Sequence, residues 1–567
     1  MEKRWMYKRV PNEETVQELS TSLNINTTLA QLIAQREINT FDDARDFFRP
    51  SLDQLHDPFL MKGMERAVNR LCEAIFNHEK ILIYGDYDVD GTTSVSLVYG
   101  FLRKFTDQIE YYIPDRYSEG YGISEKGIHY AKDQGINLII SLDCGIKAVE
   151  KAALAKELGI DLIICDHHLP GDILPDAYAI LDPKQNDDEY PYKELSGCGV
   201  GFKLLQGFCI QNTIPIELLY EFLDLVAVSI ASDIVPITGE NRVLAHFGIK
   251  KLNQSPIKGL ASLMEISNLK PPVSVSDIVF YIGPRINAAG RLTHAKESVK
   301  LLLAEEDHDL VNFSDSLNAK NTERKTFDQN ITKEALAMIE ADSRLADAKT
   351  TVLFKNDWHK GVIGIVASRC IETYYRPTII LTESGNKATG SARSVEGFDI
   401  YEAISSCSDL LEQYGGHTHA AGLTLSLEKI KDFQQKFEET VASSIAPELL
   451  IPKLDIDLEI DFDFINFKSY NIINQMAPFG PHNLQPVFST KEVRCAFEPR
   501  LLKEKHLKLN VFQTNPKNSF DAIGFGMVGF YEEIKSGRPF SLAYHIEENN
   551  FRGNKRLQLM IKDIKFD

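Results

Sequence analysis

Cysteine and tryptophan are scarce in this chain, which has eight cysteines and two tryptophans among 567 residues. The cysteines are scattered, and no two of them form a Cys-x-x-Cys pair or another spacing typical of a metal site. This absence argues against zinc ribbons and thioredoxin-like redox motifs. It favours buried, reduced thiols instead.

Long hydrophobic runs are also missing. No apolar stretch approaches the roughly 18 to 20 residues that a membrane-spanning helix needs. The first ten residues, MEKRWMYKRV, lack the apolar segment of a signal peptide. We therefore expect a cytoplasmic protein that has no membrane partner.

Basic residues are fewer than acidic residues, which gives the chain a net charge of -19. Affinity for a phosphate backbone comes mostly from Lys and Arg, so the average surface argues against a nucleic-acid partner. A carboxylate-rich active site lowers this sum, however, and a local basic cluster can still bind a polyanion. One such cluster, which is either a solvated face or part of a track for a polyanion, contains Arg494, Arg500, Lys503, Lys505, His506, Lys508 and Lys517.

The pattern of hydrophobic residues predicts an α/β multidomain protein. Short apolar runs alternate with amphipathic ones from about residue 80 to 235, which is typical of a parallel sheet covered by helices. The stretch 305–341 has no Gly or Pro and predicts one long helix, which leads to a smaller α/β region that begins at Thr351. From about residue 451 the sequence pattern predicts mostly β-strands, as in a small barrel. The expected divisions are a helical region at 1–75, a parallel-sheet domain at 76–240, a connecting helical region at 241–345, a second α/β domain at 346–450 and a barrel at 451–567.

The heptapeptide GDYDVDG at 85–91 places Asp86, Asp88 and Asp90 at alternate positions after the apolar run Ile81 to Tyr84. So many carboxylates repel one another unless cations lie among them. A calcium hand is excluded, since loop position twelve is Leu97 rather than Glu and the preceding segment predicts a strand. A P-loop is excluded because Thr92 stands where its lysine belongs. The motif therefore indicates another kind of metal site.

Further acids follow other apolar runs in the same region. Asp143 follows one run, Asp166-His167-His168 follows another, and Asp233 follows the run Leu223 to Ile230, which we interpret as a further strand. Ligands of open α/β sheets bind at the carboxyl ends of the strands, so these side chains are expected to converge on one crevice. Taken singly, each Asp could equally be a helix cap or a turn former.

The expected metal ligands are mostly hard oxygens with one imidazole, which suits Mg²⁺ or Mn²⁺. They are Asp86, Asp88, Asp90, Asp143, His167 and Asp233. Six ligands are too many for one octahedral ion that also holds water and substrate, so we expect two divalent cations and hydrolysis at phosphorus. We assign catalytic roles to Asp86, Asp143 and His168, with His168 as a contact or acid near the scissile phosphate.

The motif Asp166-His167-His168, preceded by GDYDVDG, resembles the DHH phosphoesterase superfamily, and the remaining motifs resemble its single-strand-specific exonucleases. The similarity covers nearly the whole chain. The motifs that carry it include YIPDRYSEGYG at 112–122, SLDCGI at 141–146, LSGCGVGFKL at 195–204, ASDIVP at 231–236, GPRINAAGRL at 283–292, WHKGVIGIVASR at 358–369, GSARS at 390–394 and GGHTHAAGL at 415–423.

The resemblance implies DHH, DHHA1 and OB-fold domains and stepwise release of 5′ mononucleotides from the 5′ end of single-stranded DNA. It also implies a role in DNA repair and recombination, with a single-strand-binding protein and a helicase as further partners. We expect a monomer. By the same resemblance the residues that contact substrate are Arg116, Tyr121, Arg285, Asn287, Arg291, Arg369, Arg393, Gly415, Gly416 and His417.

Each group of expected substrate contacts has a structural alternative. Arg285 and Arg291 lie in a Gly-flanked segment and either bind phosphates or tie that segment to backbone carbonyls. The Gly415-Gly416-His417 segment either approaches a phosphate or caps a preceding helix. Arg369 and Arg393 either grip the 5′ end or form interdomain salt bridges. Tyr121 either stacks on a base or belongs to a core.

The sequence departs from the family pattern in two places. Tyr84 stands where the wider superfamily has a histidine ligand, which makes Asp86 the expected substitute. His482 and Leu484 replace a glycine and a proline in PFGPHNLQPVF at 478–488, and the glycine position can require positive φ.

Two rival functions remain open from the sequence. One is a phosphodiesterase for short oligonucleotides or small phosphate esters, against which the extra C-terminal domain and the long helix argue. The other is a non-catalytic single-strand-binding relative, against which the intact ligand set argues.

Overall fold

The protein is described by a computed structural model that covers residues 2–551 and 553–566. Two compact units divide the chain. The first comprises residues 1–5, 291–293 and 316–454, and the second comprises 6–290, 294–315 and 455–567. Within the described residues no helix combines the length and the hydropathy that crossing a bilayer requires.

The N-terminal segment is mainly helical, as expected. Its elements are β1 (Arg4–Tyr7), α1 (Glu13–Leu23), α2 (Thr27–Ala34), α3 (Phe41–Phe48) and α4 (Met64–Phe76). Asn12, Asn26 and Thr40 cap the first three helices with side-chain oxygens. The buried side chains of α1 and α2 share one core with the C-terminal barrel.

The second unit contains the predicted parallel sheet, which consists of β2 (Ile81–Gly85), β3 (Ile109–Tyr112), β4 (Leu138–Leu142), β5 (Asp161–Cys165) and β6 (Ala179–Leu181). The strand order is β3-β2-β4-β5-β6, and all neighbours are parallel. The intervening helices are α5 (Val89–Leu102), α6 (Glu125–Asp133) and α7 (Val149–Glu157). Every residue of β2 and β4 is buried, because helices cover both faces of such a sheet.

Helices α8 to α15 follow the sheet. They are α8 (Gly197–Gln211), α9 (Glu217–Tyr220), α10 (Leu223–Ser232), α11 (Gly239–Gln254), α12 (Lys258–Ile266), α13 (Val275–Asp277), α14 (Gly283–Leu292) and α15 (Lys296–Leu302). The apolar run before Asp233 is thus helix α10, and the strand expected there is wrong. Nearly all of α10 is buried, so its sequence carries no polar face that would reveal a helical period.

The long helix predicted from the sequence is α16 (Asp307–Ala341), and it contributes residues to both units. The first unit then contains β7 (Thr351–Phe354), α17 (Ile363–Thr373), β8 (Thr378–Ser384), β9 (Lys387–Arg393), α18 (Ile400–Ser405), β10 (Gln413–His417), β11 (Ala420–Ser426) and α19 (Ile430–Ser444). The sheet order is β10-β11-β9-β8-β7. One core packs α16 and α17 against the sheet, and another packs α18 and α19.

The C-terminal region is the expected barrel. Its elements are β12 (Lys453–Ile456), β13 (Leu458–Glu459), α20 (Phe467–Asn474), β14 (Phe488–Cys495), β15 (Arg500–Leu502), β16 (His506–Phe512), β17 (Phe520–Gly524), α21 (Tyr531–Lys535), β18 (Phe540–Phe551) and β19 (Asn554–Lys565). The sheet order is β13-β14-β18-β19-β17-β16-β15, and an additional pairing of β14 with β16 closes it. Next to this barrel, His482 adopts φ +60°, so the turn keeps the backbone conformation that glycine favours.

Candidate metal centre

The carboxyl edge of the parallel sheet gathers acids from separate parts of the chain. Asp86 follows β2, Asp143 follows β4, and Asp166-His167-His168 follows β5. Because β2, β4 and β5 are neighbours and parallel, their carboxyl ends lie side by side. Asp86, Asp143 and His167 are all buried. This convergence is the one that the sequence predicted.

Asp90 is held by the start of another helix. Its carboxylate accepts hydrogen bonds from the backbone N–H groups of Gly197 at 2.7 Å and Cys198 at 2.8 Å, at the start of α8. The hydroxyl of Ser229 on α10 donates to it at 2.7 Å. The helix N-terminus favours a negative charge at this position. Asp90 therefore ties α5 to α8 and α10 while remaining beside the other acids.

The carboxylates of the cluster converge on the imidazole of His167. Its Nε2 atom lies 3.1 Å from Asp143 Oδ1, 3.5 Å from Asp233 Oδ2 and 3.7 Å from Asp90 Oδ2. Asp233 reaches this point from the C-terminal cap of α10. Two sets of candidate ligand atoms lie within 4.8 Å of one another, one on Asp90, His167 and Asp233 and the other on Asp143, His167 and His168.

Close packing brings the strand ends to this point. Asp143 adopts φ +58°, which turns the chain directly after β4. Gly197 at the start of α8 lies so near that a Cβ atom on it would be 2.6 Å from the Cβ of Asp143. Only glycine allows α8 to approach Asp143 this closely.

Burial and mutual repulsion raise the pKa values of these carboxyl groups. Burial is the largest cause for Asp143, whose pKa the charges of Asp90 and Asp88 raise further. Burial and the same two neighbours raise the pKa of Asp233 to about 8. Burial and the charge of Asp88 raise the pKa of Asp86, and the charge of Arg116 opposes part of that rise.

Burial lowers the pKa of His167, although Asp90 opposes that effect. A neutral imidazole among carboxylates is the form that binds a metal ion. The donor set of hard oxygens and one neutral imidazole fits Mg²⁺ or Mn²⁺, and divalent cations would relieve the repulsion between the acids. The residues present therefore fit divalent cations.

Asp166 positions its neighbours and was missing from the sequence-based site. Its carboxylate accepts hydrogen bonds from the N–H groups of Ile146 at 2.9 Å and His167 at 2.8 Å and contacts His168 Nδ1 at 2.7 Å. Burial would raise the pKa of Asp166, but the bond to His168 and these donors outweigh it and lower the pKa to about 2. Burial would likewise lower the pKa of His168, but Asp166 raises it to about 9. The first residue of the Asp-His-His motif was the available signal.

Tyr121 contacts the centre through its hydroxyl group. This hydroxyl donates to the backbone carbonyl of Asp143 at 3.1 Å and lies 3.2 Å from His168 Nε2. The residue as a whole is 55% exposed. Tyr121 is thus neither a core residue nor only a flat stacking platform.

Tyr84, the first of the two departures from the expected pattern, is fully buried. Its hydroxyl donates to the Gly122 carbonyl and accepts from the Ser124 N–H, each at 3.1 Å. Gly122 N–H in turn contacts Asp86 Oδ1 at 3.3 Å. The tyrosine therefore holds the loop beside Asp86 instead of presenting a ligand.

The segment that contains Arg285, Asn287 and Arg291 forms helix α14. Arg285 donates to the Tyr281 carbonyl at 2.7 Å, and Arg291 donates to the Gly361 carbonyl at 3.1 Å. These contacts match the alternative in which the arginines tie the segment to carbonyls. Asn287 is half-buried. Arg285 and Asn287 belong to the unit that holds the acids, whereas Arg291 belongs to the other.

The remaining expected substrate contacts belong to the first unit. Arg369 forms an ion pair at 3.2 Å with Glu372 on the same helix, and Arg393 donates to the Ala392 carbonyl at 2.8 Å. The segment from Gly415 to His417 forms the end of strand β10 in a hairpin with β11. The alternative in which these glycines cap a helix is therefore wrong. Gly415 faces open space, and His417 is exposed.

A parallel sheet that collects five aspartates and a histidine at its carboxyl edge, followed by a second α/β domain, defines a DHH phosphoesterase. The chain matches the model of the "DHH family, N-terminal domain" over residues 80–230, the "DHHA1 domain" over 347–443 and the "RecJ OB domain" over 456–563. Together these matches span the three regions described above. The chain belongs to the RecJ family.

Curated relatives support this assignment. The chain is 37% identical over 564 residues to the single-stranded-DNA-specific exonuclease RecJ of Bacillus subtilis (strain 168), covering 99% of this chain and 70% of the relative. It is 35% identical to the RecJ exonuclease of Salmonella typhimurium (strain LT2), covering 89% of this chain and 90% of the relative.

A solved structure of a relative has the same fold. RecJ from Thermus thermophilus in complex with Mn²⁺ is 25% identical with a TM-score of 0.84, and the match covers 100% of this chain and 80% of that one. The same protein in complex with Mg²⁺ is 24% identical with a TM-score of 0.79, covering 100% and 78%.

Proposed function

We propose that this exonuclease degrades single-stranded DNA from the 5′ end and releases 5′ mononucleotides. The observation that carries the proposal is the convergence of acids from separate chain segments on His167 Nε2, within a chain whose curated relatives are single-stranded-DNA-specific exonucleases. The reaction is hydrolysis. Water attacks the phosphorus that joins the first two nucleotides, the bond to the 3′ oxygen of the first breaks, and that oxygen takes a proton.

In this proposal the centre holds two divalent cations, Mn²⁺ or Mg²⁺. The residues that would hold them are Asp86, Asp88, Asp90, Asp143, His167 and Asp233. When bound, such cations polarise the phosphodiester and favour formation of hydroxide near neutral pH. Six ligands from separate chain segments exceed what one octahedral ion can accept while leaving room for substrate and water.

His168 has a role of its own in this proposal. Its Nδ1 is engaged by Asp166, so Nε2 is the nitrogen that can contact the scissile phosphate, in exchange for its 3.2 Å contact with the Tyr121 hydroxyl. The raised pKa of His168, about 9, keeps the imidazole protonated at neutral pH. It can therefore donate a hydrogen bond to a phosphate oxygen or a proton to the departing oxygen.

Substrate binding is assigned to a larger group of residues, most of them cationic or at glycine-rich turns. The proposed contacts are Arg116, Tyr121, Arg285, Asn287, Arg291, Arg369, Arg393, Gly415, Gly416 and His417. The basic cluster of the barrel extends the track, since Arg500, Lys503 and Lys505 lie exposed on β15 and its following turn. We further propose a cytoplasmic monomer that acts in DNA repair and recombination beside a single-strand-binding protein and a helicase.

Digestion of end-labelled DNA tests the proposal. With Mn²⁺ present, we expect early release of a 5′ label from a long single strand as a mononucleotide, late release of a 3′ label and little attack on blunt duplex. Asp143→Ala should abolish release, because it removes a carboxylate 3.1 Å from His167 Nε2. Asp176→Ala is the matched control, since this exposed acid pairs with Lys156 at the surface.

Three results would contradict the proposal. Faster turnover of a dinucleotide than of a long strand would indicate a phosphodiesterase for short substrates. Early release of the 3′ label would reverse the polarity. Full activity of Asp143→Ala would remove the acid cluster from the reaction.

A further inference from the structure

Tyr87 lies between two acids of the metal centre and has no role in the function proposed above. It occupies the turn between β2 and α5, flanked by Asp86 and Asp88, and it is half-buried. Its carbonyl oxygen packs against α14, where a Cβ atom on Gly290 would lie 2.7 Å away. The backbone of this tyrosine therefore packs closely against α14.

The ring of Tyr87 contacts two expected substrate-binding residues. The guanidinium carbon of Arg116 lies 4.9 Å from the ring centroid, which is a cation–π contact. The ring of Tyr121 meets it edge to face, with centroids 6.4 Å apart and planes at 84°. We call Arg116, Tyr87 and Tyr121 the aromatic bracket.

The aromatic bracket joins the substrate side of the site to the metal side. Tyr121 ends at the Asp143 carbonyl and at His168, and its ring lies 5.8 Å from the His168 ring. Tyr87 is therefore the member of the bracket that belongs to the acid-rich turn itself.

The loop that carries Arg116 and Tyr121 is folded by other contacts. Glu119 accepts from the Asp115 N–H, the Tyr112 hydroxyl and the Ser124 hydroxyl. Asp115 Oδ1 accepts from the N–H groups of Tyr117 and Ser118. Because these bonds set the backbone, loss of the Tyr87 ring should free the side chains of the bracket without unfolding the loop.

We propose that Tyr87 is a positioning residue that fixes Arg116 and Tyr121 beside the metal centre, so that they meet the DNA strand already oriented. This inference rests on the proposed function. A side chain fixed before binding loses less conformational entropy when it contacts the substrate. The effect therefore belongs to substrate binding and not to the chemical step.

Four variants of the full-length protein test the inference: Tyr87→Leu, Tyr87→Phe, Arg116→Met and the double variant Tyr87→Leu/Arg116→Met. Kinetics are measured on a 5′-labelled single strand with Mn²⁺, and Mn²⁺ affinity is measured separately by electron paramagnetic resonance. Tyr178→Leu is the matched control, because Arg66 stacks on that ring at 4.5 Å at the amino end of β6, on the opposite edge of the sheet.

We expect Tyr87→Leu to raise KM about 3- to 10-fold, the range of a partly buried cation–π contact, with kcat and Mn²⁺ affinity within about twofold of wild type. Tyr87→Phe keeps the ring and should restore most of the lost affinity. Tyr87→Leu should raise KM less when Arg116 is already Met, because the contact is then absent. Tyr178→Leu should leave KM unchanged.

An unchanged KM in Tyr87→Leu would overturn the inference. So would a KM increase in the double variant equal to the product of the increases in the two single variants, because the two side chains would then act independently. A loss of Mn²⁺ affinity equal to the loss of activity would also overturn it, since Tyr87 would then support the metal ligands only. If the wild type itself releases no 5′ label, the proposed function fails instead, and the two failures remain distinct.

Discussion

The pair Asp166 and His168 joins a buried carboxylate to an imidazole at the edge of the metal centre. The carboxylate oxygens of Asp166 accept hydrogen bonds from backbone N–H groups and contact His168 Nδ1. Asp166 raises the pKa of His168, whereas burial lowers the pKa of the neighbouring His167. Adjacent histidines thereby receive different charges and different tasks.

Asp166→Asn tests this division of roles. The amide keeps the shape but removes the charge that orients and protonates His168, so we expect kcat to fall about 100-fold, the lower end of what proton transfer contributes. Mn²⁺ affinity should change less than about threefold, since Asp166 is not among the proposed ligands. Asp176→Asn serves as the control at an exposed site. A loss of Mn²⁺ binding as large as the loss of kcat would make Asp166 a ligand after all.

At the scale of elements, two helices pack closely against segments that follow the strands. Gly197 of α8 lies against Asp143, and Gly290 of α14 lies against the Tyr87 carbonyl. These two glycines set how closely the helices approach the strand ends. The sequence shows a glycine at each place but not the neighbour that requires it.

Gly290→Ala should be destabilising even though Ala is favoured in a helix interior. The propensity gain is about 1 kcal/mol. Against it, the new Cβ would lie 2.7 Å from a backbone oxygen that cannot rotate away, and overpacking of this kind costs about 1 to 3 kcal/mol. We expect a net loss of about 1 kcal/mol in urea unfolding, with reduced activity. Gly529→Ala, where a Cβ meets no atom within 4 Å, is the control. A more stable Gly290→Ala would contradict the close approach.

At the scale of the whole molecule, the cluster of acids couples the stability of its unit to the binding of cations. The acids of the centre lie entirely within the second unit, where their pKa values are raised by burial and by one another. Cations that bind the folded form only must stabilise it. Metal binding and folding of that unit are therefore linked.

Removal of divalent cations should lower the melting temperature. At a free Mn²⁺ concentration of about 100 times the dissociation constant, the linkage contributes about 2.7 kcal/mol at 25 °C. We expect calorimetry to show a higher Tm with Mn²⁺ than with a chelator. Asp143→Ala should lose most of this difference while Asp176→Ala keeps it. An equal Mn²⁺ effect in both variants would place the stabilising ions elsewhere.

Several elements could be predicted from the sequence because their signals are local. The runs that become β2, β4 and β5 are short, apolar and followed by acids, and their parallel pairing brings Asp86, Asp143 and His167 together. The long helix α16 was predictable from a stretch without internal Gly or Pro. The sequence motifs also indicated the family, and the curated relatives confirm it. The domain boundaries and the ligand list stay predictions.

Other features depended on contacts between distant residues. The run before Asp233 is helix α10 and not a strand, because burial on all sides removes the period that separates the two. Tyr121 and Tyr87 gave no local sign that one would contact His168 and the other would carry Arg116. The sequence by itself determined which acids and histidines follow the strands, since residue type and strand ends are local properties. The tertiary structure alone decided which of them touch, because those contacts join segments far apart in the chain.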